Sequence, residues 1–572
     1  MFPVRPGRIH DEFPAPGYRG HQESALSEIA EAFAEGAEVV LVRAPTGSGK
    51  SLLARAICGC ADRVSEATPG APTGAYYTTP QVSQLDAVAA DSLLDDIAVV
   101  RGKGNYTCAL PDEPDTPVPR APCERISGYN CSITHRCPYY VDRDAAQHSR
   151  IAGMTLAYFM QTAGAGTFGP RDVVAIDEAH GLADWAEMYA TIELSERTIP
   201  GWDPNRIPDD VAVDRRLLSF AEGVRDRCRA RAERLTEKDE LTPDEAASRD
   251  RLREVVRDLE WFCRDVQDTD SPTTWIVEDG EDRLAIKPLD PARFLHRTVW
   301  DRGRRFALLS ATILDKDAFC HRVGLDPSTV RLVDVPHTFP LERRPLYDLT
   351  QGRMTMADRE ETLPQVAEAI TRVMAAHPDE KGIIHCHSYA IQDDLARRLR
   401  AMGLGDRIVA HDRDDRDDAL AAWQTRSDPA VFLSVKMEEA LDLAGDLARF
   451  QVICKAPYPN VGDPSVSTRL ADDQWGWYYR RTLRTVIQAC GRVVRSRDDF
   501  GATYLVDESL LDVFDRTRGT MPAWFREQVD SLSVPDLPSV EAERSSTETQ
   551  PSGKSAPERT RRSPMADVWE TD

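Results

Sequence analysis

The stretch Leu41-Val42-Arg43-Ala44-Pro45-Thr46-Gly47-Ser48-Gly49-Lys50-Ser51 restricts the possible folds of this chain more than any other. The run Val39 to Val42 reads as a buried parallel strand, Gly47 and Gly49 break it, and Leu52 to Ile57 resume as a helix. Strand, glycine loop and helix in that order make a phosphate-binding loop. The loop N–H groups and the positive end of the helix dipole face one spot and favour an anion there. In such a loop Gly47, Ser48 and Gly49 cradle the phosphates of ATP, Lys50 reaches the β- and γ-phosphates, and the Ser51 hydroxyl ligates Mg²⁺.

A chain of 572 residues exceeds one compact core, and about three or four units are expected. No stretch approaches the roughly 20 apolar residues of a membrane helix. The start, Met1-Phe2-Pro3-Val4-Arg5-Pro6, has no apolar signal segment, so a cytoplasmic, nucleoid-associated protein is expected. The formal net charge is −24, yet only nine of the basic residues are lysines while arginine and aspartate abound. That balance resembles the proteins of salt-accumulating halophilic archaea; a mesophilic acidic protein is the bland alternative. In molar salt the screening length is about 3 Å, so the acidity does not argue against nucleic acid as a partner.

Twelve cysteines in an intracellular chain point to metal ligation or reduced core thiols rather than a disulfide framework. Cys228, Cys263, Cys320, Cys386, Cys454 and Cys490 each stand singly among apolar residues and read as small hydrophobes. Cys108, Cys123, Cys131 and Cys137 differ: they fall within 30 positions, separated by 14, 7 and 5 residues. Clustered thiolates suit zinc or an iron–sulfur cluster, and the spacing alone does not choose between them.

Ahead of the loop, Leu26, Ile29, Ala30 and Phe33 form the core stripe of a helix, and Gln22 could present its amide to adenine. Tyr76-Tyr77-Thr78-Thr79-Pro80 ends a strand whose threonines could hydrogen-bond a nucleic acid backbone. Val173-Val174-Ala175-Ile176-Asp177-Glu178-Ala179-His180 is a buried strand ending in two acids. Asp177 would hold Mg²⁺ and Glu178 would orient and deprotonate the attacking water. Residues 195 to 289 read as mainly helical, with a capping box at Thr242 and Glu245. Phe306 to Leu309 returns as a strand before Ser310-Ala311-Thr312. A second α/β unit begins near Arg344. His385 and His387 share one strand face but lack a third metal ligand nearby. In Gln488-Ala489-Cys490-Gly491-Arg492-Val493-Val494-Arg495, Arg492 and Arg495 are expected on one helix face, clamping a phosphate from across a cleft. After about Val534 the composition is that of a disordered tail, in which Met565 and Trp569 could form a docking motif for a repair or replication protein.

The ordered set of motifs resembles the superfamily 2 helicases of the XPD/DinG type. Arg19 and Gln22 look like the Q motif, Ala44 to Ser51 motif I, and Thr78-Thr79-Pro80 motif Ia. Asn105-Tyr106-Thr107-Cys108, ending in Cys137-Pro138-Tyr139-Tyr140, looks like the cluster-bearing insertion. Asp177-Glu178-Ala179-His180 is similar to the DEAH form of motif II, Ser310-Ala311-Thr312 to motif III, and Gln488 to Arg495 to motif VI. Glu439-Ala440-Leu441-Asp442 departs from motif V, which usually has glycine before its valine–aspartate pair.

The resemblance implies two recA-like P-loop NTPase domains. The first would comprise residues 1–100, 151–194 and 290–343, interrupted by an iron–sulfur insertion at 101–150 and a helical Arch-like insertion at 195–289. The second would span 344–534, leaving 535–572 as the tail. It further implies that Cys108, Cys123, Cys131 and Cys137 ligate a 4Fe–4S cluster, and that Arg492 and Arg495 complete the ATP site formed by Lys50, Asp177 and Glu178, with Gln22 and Gln488 beside the nucleotide. The implied activity is 5′-to-3′ movement of a monomer on single-stranded and forked DNA, with no membrane partner. Two other readings compete. One is a zinc-stapled nucleic-acid-binding ATPase that remodels complexes without unwinding. The other is a metabolic P-loop kinase, which would not need the second ATP-facing unit.

Overall fold

The computed structural model describes residues 6–61, 73–207, 213, 215–268, 273–280, 282–435, 445–494 and 496–539. The phosphate-loop strand Val39–Arg43 lies inside a seven-stranded, wholly parallel sheet. Across it the order is Val330–Asp334, Val39–Arg43, Gly303–Ser310, Arg171–Ile176, Ala75–Thr79, Ile151–Thr155, Ile97–Val100. Helices cover both faces, so the strands read as continuous apolar runs rather than alternating ones. Alternation is still visible in which core each residue enters: Leu41 and Tyr76 pack on one face, Val40, Val42 and Tyr77 on the other. Each such fully buried aliphatic side chain contributes about 1.5–3 kcal/mol.

A second parallel sheet of six strands follows, in the order Leu346–Gly352, Ala502–Asp507, Phe450–Ile453, Gly382–His385, Val431–Ser434, Ile408–Val409. Two α/β units with parallel sheets are the fold class expected from the phosphate loop and the later strand runs. No described helix is long and apolar enough to cross a membrane.

The region 195–289 differs from its helical reading in one respect. Helices Arg215–Thr236 and Pro243–Gln267 pair along their length, and the second starts at the capping box of Thr242 and Glu245. The chain then forms an antiparallel hairpin, Trp275–Gly280 with Arg283–Pro288, which joins Ile192–Leu194 in a small third sheet. Leu284 and Ile286 face the helices from this sheet.

The cysteine-rich segment rests on the first unit through Tyr106, Val118 and Tyr139, which enter its core. Its far side meets the turn between the two long helices. Ser127 N–H donates to the Asp239 carbonyl at 2.8 Å, Leu241 N–H to the Arg125 carbonyl at 2.8 Å, and Arg125 pairs with Glu240 at 3.1 Å. The two insertions therefore touch at their tips as well as arising from one sheet.

Candidate nucleotide site and interdomain cleft

The phosphate loop bends where the sequence demands it. Gly47 and Gly49 both sit at φ 79°, a left-handed conformation that costs glycine little. A Cβ at Gly49 would lie 2.3 Å from Gln22 Nε2, so the loop is also tight against its neighbour. Helix Lys50–Gly59 begins directly after, placing Lys50 and Ser51 in its first turn at the positive end of the dipole. Ser48 Oγ donates to the Pro45 carbonyl at 2.7 Å and braces the loop.

Gln22 is placed differently from its adenine-facing reading. Its Oε1 accepts from Arg19 N–H at 2.9 Å and its Nε2 donates to the Ser48 carbonyl at 3.0 Å, so both amide atoms hold the loop. Thr78 and Thr79 also turn away from their expected role. Both are buried, with Thr78 Oγ1 donating to the Ala175 carbonyl and Thr79 Oγ1 to the Gln81 carbonyl, so neither hydroxyl is offered to a nucleic acid backbone.

Asp177 and Glu178 leave the end of strand Arg171–Ile176 beside the loop. The Asp177 N–H donates to the Thr78 carbonyl at 2.9 Å, and Glu178 takes a left-handed φ of 50° that swings its carboxylate toward Lys50. Lys50 Nζ lies 3.5 Å from Glu178 Oε1. Burial, and then the charge of Glu178, push the Asp177 carboxyl up to about 6. Burial would raise Glu178 as well, but Lys50 and His180 outweigh it and hold that carboxyl below the usual range. A recessed carboxylate raised by a like charge, next to a serine hydroxyl at a helix N-terminus, is a donor set that fits a hard divalent cation. Glu178, kept ionised, has the charge state of a base.

The second unit closes over this loop. A Cβ at Gly491 would lie 2.9 Å from Thr46 Oγ1, which brings the turn at Gly491 and Arg492 onto the phosphate loop. The helix Trp475–Cys490 ends before that turn, so Arg492 stands in a turn and not on a helix face with Arg495, as the i, i+3 reading had it. Gly491 stops the helix, and the clamp geometry has to come from the turn. Arg495 and the motif V stretch Glu439 to Asp442 lie outside the described residues.

One hydrogen-bonded line crosses the cleft. Gln488 donates its amide N–H to His180 Nε2 at 2.6 Å, which places the ring proton on Nδ1. That nitrogen lies 2.8 Å from Ser310 Oγ and 3.2 Å from Glu178 Oε2. Four residues beyond His180, Asp184 gathers three arginines: Arg322 at 2.7 Å from its own unit, and Arg481 at 3.0 Å and Arg484 at 2.7 Å from helix Trp475–Cys490. Sequence reading passed over Asp184, Arg481 and Arg484. Their signal was present in the i, i+4 spacing of Arg484 with Gln488 and of His180 with Asp184.

A cleft of about 1040 Å³ opens between the base of the helical insertion and the second unit. Arg197, Lys287, Arg469 and Arg481 line it together with Trp477 and Tyr458, and the Arg469 and Arg481 guanidinium groups lie over the Trp477 ring at 5.0 and 5.6 Å. Asp184, Glu187, Glu193 and Asp463 line the cleft as well, and Arg481, Arg469 and Lys287 are already paired with Asp184, Asp290 and Glu278. Elsewhere, His385 is a buried core histidine whose Nε2 faces Gln451 Oε1 at 3.1 Å while its Nδ1 has no hydrogen-bond partner.

Among the described residues no three His, Cys, Asp or Glu side chains converge closely enough to hold a single ion. The cysteine-rich segment nevertheless keeps its thiols in electrostatic contact. Burial, with Glu124 and the neighbouring Cys131 and Cys108, pushes Cys123 up to about 11. Cys137 is buried and precedes helix Pro138–His148. A bound iron or zinc centre would draw such a thiol into the thiolate form.

These features define a P-loop NTPase fold of two recA-like units with two insertions in the first. A family model described as DEAD_2 matches residues 122–199, and one described as the helicase C-terminal domain matches residues 370–528. The human regulator of telomere elongation helicase 1 is 27% identical over 305 residues, covering 46% of this chain and 25% of the human protein. The Caenorhabditis elegans homologue is 27% identical over 274 residues, covering 40% of this chain and 27% of its own. The match thus spans about a quarter of the length of these two curated relatives. Among solved structures, an XPD helicase superposes with TM-score 0.59 at 16% identity over 88% of this chain and 98% of that one. S. tokodaii Xpd4 gives 0.57 at 14% identity over 91% and 100%. Two helicase family models thus match parts of the chain, and its fold is similar to that of the XPD helicase structures.

Proposed function

We propose that this chain is an ATP-dependent DNA helicase that moves 5′-to-3′ on single-stranded DNA and separates forked duplexes. The observation that carries this reading is the seating of Gly491 on the phosphate loop together with the Ser310–His180–Gln488 line. A nucleotide bound there would be shared by two units, so its hydrolysis can change their separation. A metabolic kinase has no use for such a joint.

Each residue has a part in that cycle. The loop N–H groups and Lys50 would bind the β- and γ-phosphates, while Ser51 and Asp177 would hold Mg²⁺, which supplies charge neutralisation to the phosphoryl oxygens. Glu178 would orient the water and take its proton, and Arg492 with Arg495 would meet the γ-phosphate from the second unit. Because His180 touches Glu178, Ser310 and Gln488, loss of the γ-phosphate alters the hold of one unit on the other. The cleft that carries Arg197, Tyr458 and Trp477 would receive the DNA strand, the rings stacking bases, and Cys108, Cys123, Cys131 and Cys137 would hold a 4Fe–4S cluster as a rigid staple beside it. The push that Cys131 and Cys108 add to the Cys123 thiol supports a centre shared by these cysteines. The shortage of lysine supports a high-salt cytoplasm, and a repair or replication protein would dock on the tail.

ATP turnover measured with and without single-stranded DNA tests this reading: strong stimulation is expected, and turnover indifferent to DNA would contradict it. The cysteines give a separate prediction. Cys137→Ser should leave nucleotide affinity unchanged, remove the visible absorbance of the iron–sulfur chromophore and reduce strand separation to background, because the segment lies outside the nucleotide site. Colourless wild-type protein carrying zinc would instead favour the non-unwinding ATPase.

A further inference from the structure

We propose that Tyr77 is a positioning residue for the metal side of the nucleotide site, accepting a hydrogen bond from the Ser51 hydroxyl and donating its own to the Asp177 carboxylate. This rests on the nucleotide-site reading above and adds a residue to it. Tyr77 sits in strand Ala75–Thr79 opposite Ala175, two residues ahead of Asp177 on the neighbouring strand. Its ring is fully buried under helix Lys50–Gly59, among Ala54, Ile57 and Cys58.

Tyr76, on the other face, donates its hydroxyl to the Gly169 carbonyl at 2.6 Å and is satisfied. The Tyr77 hydroxyl is buried without a well-aligned partner, although Asp177, Ser51 and Glu178 all act on it electrostatically. Leaving a buried hydroxyl unpaired costs about 1–3 kcal/mol, and phenylalanine would fill the same space without that cost. Asp177 and Ser51, the two side chains that would ligate the cation, are among the groups that act on this oxygen.

The chemistry is directional. To ligate a cation, Ser51 must point a lone pair at it and its proton away, and a phenol oxygen on the far side gives that proton an acceptor. The phenol proton would then occupy one oxygen of Asp177 and leave the other free to accept a cation. Tyr77 thereby orients both ligands without touching metal or nucleotide, in the manner of outer partners that fix ligand geometry.

Tyr77→Phe keeps the ring and removes only the hydroxyl. Affinity for a fluorescent ADP is to be measured with Mg²⁺ and with chelator, alongside Mn²⁺ binding by electron paramagnetic resonance, in wild type, Tyr77→Phe and Lys50→Ala. The expected result is unchanged affinity in chelator and a metal-dependent enhancement reduced by about tenfold, the equivalent of one buried hydrogen bond. An enhancement equal to wild type, or an equal fall with and without metal, would overturn the proposal and leave Tyr77 a packing residue. If Lys50→Ala binds the nucleotide as wild type does, the nucleotide-site reading itself fails, and Tyr77 fails with it.

Discussion

Lys50→Ala is expected to lower ATP turnover by about 10²–10³-fold, the usual cost of removing one charge-stabilising donor from a phosphoryl-transfer site. Lys50 is the cation that faces both the phosphate loop and Glu178, 3.5 Å away. Without it, the negative charge of Asp177, Glu178 and a triphosphate would meet with one compensating cation fewer. The loss should be confined to chemistry and nucleotide affinity, because a single partly exposed pair contributes only about 0–1 kcal/mol to folding. Phosphate release at saturating DNA, with thermal unfolding as the control, checks this. Turnover equal to wild type would remove the phosphate loop from the mechanism.

The second large effect is expected at Asp184. Its carboxylate joins Arg322, Arg481 and Arg484, and these arginines hold it well below its ordinary value of 3.8 even though burial alone would raise it. Asp184→Ala leaves three guanidinium groups facing one another across the joint. Breaking a recessed pair in this way costs about 3 kcal/mol, or about 5–10 °C in Tm for units of this size. The sign with pH follows from the lowered value. Stability from Asp184 is fully present above about pH 4, falls as the unfolded chain takes up the proton first, and is gone once pH drops below the folded-state value. Scanning calorimetry at neutral and acid pH checks both: the variant should lose its Tm deficit as the pH approaches that of the folded carboxyl. A deficit independent of pH would show that the charge of Asp184 is not what binds the units together.

How much of this could be seen in the sequence depended on whether a residue's requirement was local. Gly47 and Gly49 are needed for a left-handed loop, and the Thr242–Glu245 capping box fixes a helix start within four residues, so both were legible. Along that helix the structure buries Val255 and half-buries Val256, because the packing partner sets which edge of an apolar stripe is covered. The hairpin Trp275–Pro288 was missed inside an arginine-rich helical region, although Asp279-Gly280 and the alternation of Leu284 and Ile286 carried a strand signal. The helix end at Cys490 was missed because Gly491 was read as part of a motif and not as a stop. Tyr77 and the Gln488–His180 contact depend on strand order and on the docking of the two units, which no local pattern encodes.

Strand separation on forked DNA bearing either a 5′ or a 3′ tail, run in molar KCl with ATP, tests the central claim most directly. The two-unit motor with its cysteine-rich insertion predicts separation of the 5′-tailed fork, abolished by Lys50→Ala and retained in high salt. ATP hydrolysis stimulated by DNA without separation of either fork would contradict it.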